Sequence, residues 1–375
     1  MVLHRLTHVL TDSKRPIRAA AKTTTFLLKV YPMLPSRPVD WLTAPPVIER
    51  VRYPTRVGGQ PTQAEGDLYR PAGPGPHPGM LICLGVVPFG VDHPQVPRLG
   101  AALARAGLAA LIYWSPTMRD RRLDPEDIEN IALAYQWLVD QPAIDPTRSG
   151  LMGTCVGGSF ALMAAARARI RDRVAFVVAY APYSSMWTLT QDIVTATRSG
   201  GTVRQPWPVD PLTRTVYVRS LTAGLDPPEA DLLRRAAVGE GEPGDLAPQQ
   251  LSEEGRAVYP LLGRLSSADA QAALQHLPPA LHARLAALSP LQYVQEIQAP
   301  LLVVLHDRDD LVIPVGESRR LRAALAGRAG VRYTEFTLFQ HMDPSKGRLS
   351  PLGLLRQLGK FYHAVYPVFR LAAVP

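Results

Sequence analysis

The chain has 375 residues, 46% hydrophobic and 19% charged, with a formal net charge of +9. That is an ordinary globular balance with enough length for a large core, as one large domain with an insertion or as two domains. The basic surplus is spread along the sequence without a Lys/Arg block or a nucleic-acid motif, so no nucleic-acid partner is expected.

No run of about 18 apolar residues is present to cross a membrane. The N-terminus lacks the apolar core and small-residue cleavage site of a secretory signal. Cys83 and Cys155 are the only cysteines, too few for a disulfide framework, and two free thiols in a reducing, cytoplasmic compartment are expected. No His/Cys/Asp spacing suggests a metal site, and no cofactor is expected.

Residues 1–45 form a basic arm, in which Arg5, Lys14, Arg15, Arg18, Lys22, Lys29 and Arg37 face only Asp12 and Asp40. Leu3, Leu6 and Leu10 recur at helical spacing, and a second helix is expected from Asp12 to about Val30 with Pro16 in its first turn. Such a segment suits weak contact with an anionic membrane surface. The short apolar face, broken by Pro16, favours instead an arm packed on the domain with its basic side solvated.

The first part of an α/β core spans 46–183. Ile48–Tyr53 and Ala64–Tyr69 read as a hairpin turning at Gly58-Gly59. Gly79–Leu84 is an apolar run suited to a strand buried on both faces. Helix Val96–Ala106, strand Ala109–Tyr113, helix Pro125–Asp140 capped by Asp124, and strand Gly150–Met152 follow. Helix Gly158–Arg169 and strand Val174–Tyr180 complete this part. The β-α-β rhythm predicts a mostly parallel sheet flanked by helices.

The rhythm stops over 184–288, where the helical pieces Pro228–Val238, Ala268–Leu277 and Pro279–Leu288 suggest a helical cap insertion. The core resumes over 289–375 with strand Pro300–Leu305, helix Ser318–Ala326, strand Val331–Phe339 and a closing helix Leu352–Val365.

The chemistry centres on Gly153-Thr154-Cys155-Val156-Gly157 between a strand and a helix. A nucleophile elbow of this kind holds its central residue on a strained corner with a helix N-terminus behind it. There a thiol is activated, and the Val156 N–H points where a carbonyl oxygen gains charge. The alternative is a buried structural cysteine in a glycine-rich turn. Asp307, Asp309 and Asp310 follow a later strand, and His341 follows the last. His306 reads as structural and His93 as a residue that could line the pocket.

Nucleophile, acid and base in this chain order resemble the α/β-hydrolase superfamily, and the Gly-x-Cys-x-Gly elbow resembles its dienelactone hydrolase family. The similarity covers Ile48–Tyr183 and Ser289 to the end, with local echoes at Leu68-Tyr69-Arg70-Pro71, Asp145-Pro146-Thr147-Arg148 and Ser289-Pro290-Leu291. It implies a Cys155–His341–Asp310 triad, because the family's acid stands four residues before a Pro, here Pro314; Asp309 is the fallback. It also implies an oxyanion hole from the Val156 N–H with that of Val86, or else Val87. Leu84-Gly85 replaces the His-Gly of many relatives, which alters the pocket wall.

The implied function is hydrolysis of a small-molecule carboxylic ester or lactone through a thioacyl-enzyme. Two other readings compete. Polyhydroxyalkanoate synthases share a Gly-x-Cys-x-Gly-Gly box, and Ile112-Tyr113-Trp114-Ser115-Pro116 faintly resembles their segment after the preceding strand, which would mean acyl transfer. A non-catalytic binding protein on the same fold is the third.

Overall fold

A computed structural model of the chain describes residues 2–31, 34–87, 93–199, 203–238, 248–337 and 350–373, with side chains from Lys14 onward. In chain order the elements are α1 (Val2–Val30), α2 (Arg37–Leu42), β1 (Val47–Val57), β2 (Gln60–Arg70), β3 (His77–Cys83) and α3 (Gln95–Arg105). Next come β4 (Ala109–Tyr113), α4 (Pro116–Arg119), α5 (Glu126–Val139), β5 (Ile144–Thr154), α6 (Val156–Ala165) and β6 (Phe176–Tyr180). The segment 184–288 holds α7 (Met186–Thr195), β7 (Thr197–Ser199), β8 (Arg204–Pro206), α8 (Pro211–Leu221), α9 (Pro227–Val238), α10 (Glu253–Val258), α11 (Ser267–Gln275) and α12 (Pro279–Ala287). β9 (Leu301–Asp307), α13 (Val315–Ala324), β10 (Val331–Phe336) and α14 (Pro351–Ala372) close the chain.

Eight strands form one sheet in the order β1-β2-β4-β3-β5-β6-β9-β10. β1 and β2 pair antiparallel and turn at Gly58 and Gly59, both at positive φ (58° and 79°), as a tight two-residue hairpin requires. β2 meets β4 antiparallel, and every pairing from β4 to β10 is parallel. β4, β6 and β9 are buried along their whole length, which is why β4, β6 and the first five residues of β9 are apolar runs; β9 ends in the buried polar pair His306 and Asp307. The chain reverses direction across the sheet at β3, which has β4 on one side and β5 on the other. A crevice at the carboxyl ends of such a pair is where ligands bind in open α/β sheets.

The two faces of the sheet are covered differently. α5 and α6 pack on one face, where Ile131, Tyr135, Leu151, Phe160, Leu162 and Met163 share a single cluster. α1, α3 and α14 cover the other, with Phe26, Leu103, Val178, Leu305, Phe336 and Phe369 in a second cluster.

The arm departs from the sequence-based expectation of two helices: α1 runs unbroken through Pro16. Proline costs a helix one internal hydrogen bond, and here long-range packing outweighs that local loss. α1 lies along α3 and α14, with Phe26 against Phe369 at 5.3 Å between ring centroids.

Part of the basic side is also not solvated. Lys22 Nζ donates to the Ala372 carbonyl at 3.0 Å and Arg15 Nε to that of Arg370 at 3.4 Å. These are carbonyls in the last turn of α14, that of Arg370 also accepting from the Ala373 N–H at 3.4 Å, and a helix C-terminus favours positive charge. Burial, with the charges of Arg148 and Arg18 nearby, holds the Lys22 amine below its usual pKa.

Other departures are small. α14 continues through Pro367, past the expected end at Val365. β7 and β8 form a two-stranded ribbon that no sequence pattern announced. At α5, Pro125 rather than Asp124 occupies the N-cap, and Asp124 Oδ1 still accepts from the Glu126 N–H at 3.0 Å. β10 ends at Phe336, and the remainder of the strand expected to Phe339 lies mostly outside the described residues.

Candidate active site

The elbow sits at the carboxyl end of β5, beside the reversal at β3. Cys155 has φ 55° and ψ −134°, a conformation that costs a non-glycine residue about 1–3 kcal/mol and is retained only where its surroundings impose it. Those surroundings are close-set backbone. A Cβ on Gly157 would collide with the Cys83 carbonyl and stand 2.6 Å from the Gly85 nitrogen, and one on Gly153 would meet the Gly157 carbonyl and stand 2.6 Å from the Gly158 nitrogen. The Cys155 N–H donates to the Tyr180 carbonyl at 2.8 Å and its carbonyl accepts from Gly158 at 3.0 Å, so the corner is pinned to β6 and to the first turn of α6.

Cys155 is thus the N-cap of α6, with its side chain 8% exposed. The helix N-terminus behind it favours negative charge. Val156 opens the helix and Val86 follows β3; both are buried and border the same cavity as Cys155. Gly85, at φ 76°, brings the two segments together, and Thr154 Oγ1 ties them by donating to the Leu84 carbonyl at 2.8 Å. Among the described residues neither the Val156 nor the Val86 N–H is engaged by another group. Cys83 and Cys155 are both free. Cys83 is sealed in the core and burial pushes its thiol pKa far up, so it stays protonated.

Asp310 follows β9, two strands from β5, which corresponds to roughly 10 Å across the sheet. It is fully buried, and its Oδ1 accepts from the backbone N–H groups of Val312 (2.7 Å) and Ile313 (3.0 Å). Asp309 is exposed to solvent. Asp307 is buried and takes up its own loop, its Oδ1 accepting from the Asp309 N–H at 3.0 Å. His306 lies beneath the same loop: one ring nitrogen is 2.5 Å from Ser318 Oγ, the other 2.9 Å from the Ile313 carbonyl and 3.6 Å from Asp310 Oδ2. It holds the loop that carries Asp310. His341 lies outside the described residues.

A cavity of about 630 Å³ opens on the elbow, within the roughly 300–1,000 Å³ range of small-molecule sites. Cys155, Val156, Val86, Val87 and His93 border it, and so do Val312 and Ile313 from the Asp310 loop. From the segment 184–288 come Met186, Leu189 and Ile193 of α7 and Leu212, Val216 and Tyr217 of α8.

Sequence reasoning missed two parts of this arrangement. The first is the share of the wall supplied by α1 and α14, through Phe26, Val30, Phe361 and Val365. Their helical spacing was visible, yet it reads as ordinary core. The second is Glu317, fully buried at the start of α13. It accepts from the N–H of Ser184 (2.7 Å) and of Ser185 (3.2 Å), from Thr188 Oγ1 (2.7 Å) and from the Ser184 hydroxyl, and it pairs with Arg320. It fastens the start of the segment 184–288 to the sheet domain.

No protein-family model and no curated relative matches the chain. Solved structures do. An acylaminoacyl peptidase bound to a chloromethyl ketone superposes with a TM-score of 0.53 at 15% identity, over 86% of this chain and 41% of that one. The acylaminoacyl peptidase of Pyrococcus horikoshii gives 0.53 at 15% identity over 89% and 44%. A puromycin-hydrolysing peptidase of Mycobacterium tuberculosis gives 0.51 at 18% identity over 90% and 41%. This chain therefore spans less than half the length of these peptidases. At such identities the likeness concerns the fold, and the fold is that of the α/β-hydrolases, as the strand order and flanking helices indicate.

Proposed function

We propose that this protein is a hydrolase of the dienelactone hydrolase type, cleaving a small-molecule carboxylic ester or lactone with Cys155 as nucleophile, His341 as base and Asp310 as the acid that orients it. The observation that carries the reading is Cys155 itself, held at positive φ on the N-terminus of α6 and facing a 630 Å³ cavity. A buried structural cysteine has no need of a strained corner. Asp310 is preferred to Asp309 because its carboxylate is buried and fixed by two N–H donors, whereas Asp309 faces solvent. The segment 184–288 acts as the cap, roofing the cavity through α7 and α8.

His341 takes the Cys155 proton, and the thiolate attacks the carbonyl carbon, forming the C–S bond. The oxygen's charge is received by the N–H groups of Val156 and Val86. Collapse breaks the ester C–O bond, and the imidazolium returns its proton to the departing alkoxide. Water, deprotonated by His341, then attacks the thioacyl carbon; the C–S bond breaks, the acid leaves and the thiolate is restored. An ester suits a thiolate better than an amide does, because an amine is the poorer leaving group from the adduct.

Turnover of p-nitrophenyl butyrate tests this directly. Wild-type protein is expected to hydrolyse it, and Cys155→Ala to lose about 10⁴-fold or more in kcat. No turnover on several esters and lactones, with Cys155 inert to iodoacetamide, would overturn the proposal in favour of a binding protein.

A further inference from the structure

The cavity does more than open above the sheet; it continues down the face covered by α1, α3 and α14. Phe26 and Val30 of α1, Leu99 and Leu103 of α3, and Phe361 and Val365 of α14 border it there. The sheet supplies a floor of Met80, Met152, Val178 and Leu305. These side chains are apolar, and the rings of Tyr31 and Tyr180 stand among them on the same wall. The charged and amide groups on the wall gather at two helix starts: His93, Gln95 and Arg98 at the N-terminal end of α3, above Leu99 and Leu103, and Asp210 beside Thr213 at that of α8. The cavity is thus divided by chemistry, with Cys155, Val156 and Val86 bordering the same space.

We infer that the apolar chamber between α1, α3 and α14 holds the acyl chain of the substrate, so that the preferred ester carries an aliphatic acyl chain of several methylenes. This rests on the hydrolase reading above. The acyl group is the part that stays bonded to sulfur through the second half of the reaction, and an apolar chamber stabilises it throughout. The alcohol must depart and water must arrive, and both are served by the polar groups at the starts of α3 and α8. Transfer of each methylene from water into such a chamber favours binding by about fourfold.

The test is a p-nitrophenyl ester series from acetate to dodecanoate, run on wild type and on the chamber-filling variants Val365→Trp and Leu99→Trp. In wild type kcat/KM is expected to rise about two- to fourfold per methylene until the chamber is full. Each variant is expected to lower kcat/KM for the longest esters at least tenfold more than for acetate. Two variants on different helices guard against one misfolding, with thermal unfolding as the check. A flat chain-length profile, or variants that depress all esters equally while remaining folded, overturns the chamber assignment and leaves the hydrolase reading intact.

Should no ester turn over, titration calorimetry of dodecanoate into Cys155→Ala decides the chamber separately. Binding that weakens at least tenfold in Cys155→Ala/Val365→Trp supports it, and absence of binding sinks it.

Discussion

The two faces of the sheet are built to opposite ends. On the α5–α6 face, Ile131, Tyr135, Leu151 and Phe160 are fully buried and none borders the cavity. On the α1–α3–α14 face the side chains are just as apolar and nearly as shielded, yet several of them border a void. Protein interiors ordinarily close-pack; here the cavity reaches the α5–α6 cluster only at its upper margin, through residues such as Val86, Cys155 and Val156, while it runs along the other face, so the hollow follows the packing and not the composition. The difference teaches that a buried apolar helix can be core or container, and that burial alone does not separate the two.

The comparison can be broken most severely at its hinge. Gly157→Ala would drive a methyl into the Cys83 carbonyl, which neither β3 nor α6 can yield. A loss of more than about 4 kcal/mol is expected, seen as insoluble protein or a collapsed urea midpoint. On the solid face, Phe160→Ala should cost about 3–5 kcal/mol, because its cavity has no room to collapse. On the hollow face, Phe361→Ala should cost about half as much, since part of that ring already faces empty space. Equal losses in urea unfolding would erase the distinction.

Two acids sharpen it further. Asp192 lies on α7, whose Met186, Leu189 and Ile193 border the cavity, with its side chain 1% exposed and paired with Arg204. Burial raises its pKa to about 6, with the Arg204 pairing opposing. The folded state therefore holds this proton where the unfolded chain has released it. Its contribution is greatest below about pH 4 and is lost as pH rises through 6. Wild type should lose about 1–2 kcal/mol relative to Asp192→Asn between pH 4 and 7.

Glu335, on the edge strand β10, behaves oppositely. Paired with Arg319 and Arg308 and accepting from Tyr333, its carboxyl is held down to about 2. Its contribution is present above about pH 4.5 and lost as pH falls towards 2. Glu335→Gln should cost about 1 kcal/mol at neutral pH and progressively less as pH falls from 4.5 through 2.

Much of this was legible in the residues. The apolar run Gly79–Leu84 announced a strand buried on both faces, Ala109–Tyr113 and Pro300–Leu305 read as strands, and the spacing of glycines around Cys155 announced the elbow. Asp310 was preferred over Asp309 as the candidate acid only through Pro314 and a family pattern; the burial of the one and the exposure of the other are matters of fold. Glu317 could not be read at all, because its partners Ser184, Ser185 and Thr188 lie some 130 positions upstream. Pro16 misled, since a local breaker was overruled by α14 from the far end of the chain.

By itself the sequence determined the local elements and the order in which candidate nucleophile, acid and base appear, because periodicity, turn chemistry and chain order are properties of neighbouring residues. The tertiary structure decided which carboxylate is buried, that Lys22 and Arg15 meet carbonyls at the end of α14, and that the face under α1 is hollow. Each of those depends on where distant segments come to rest, and a space left between three helices and a sheet belongs to none of their sequences alone.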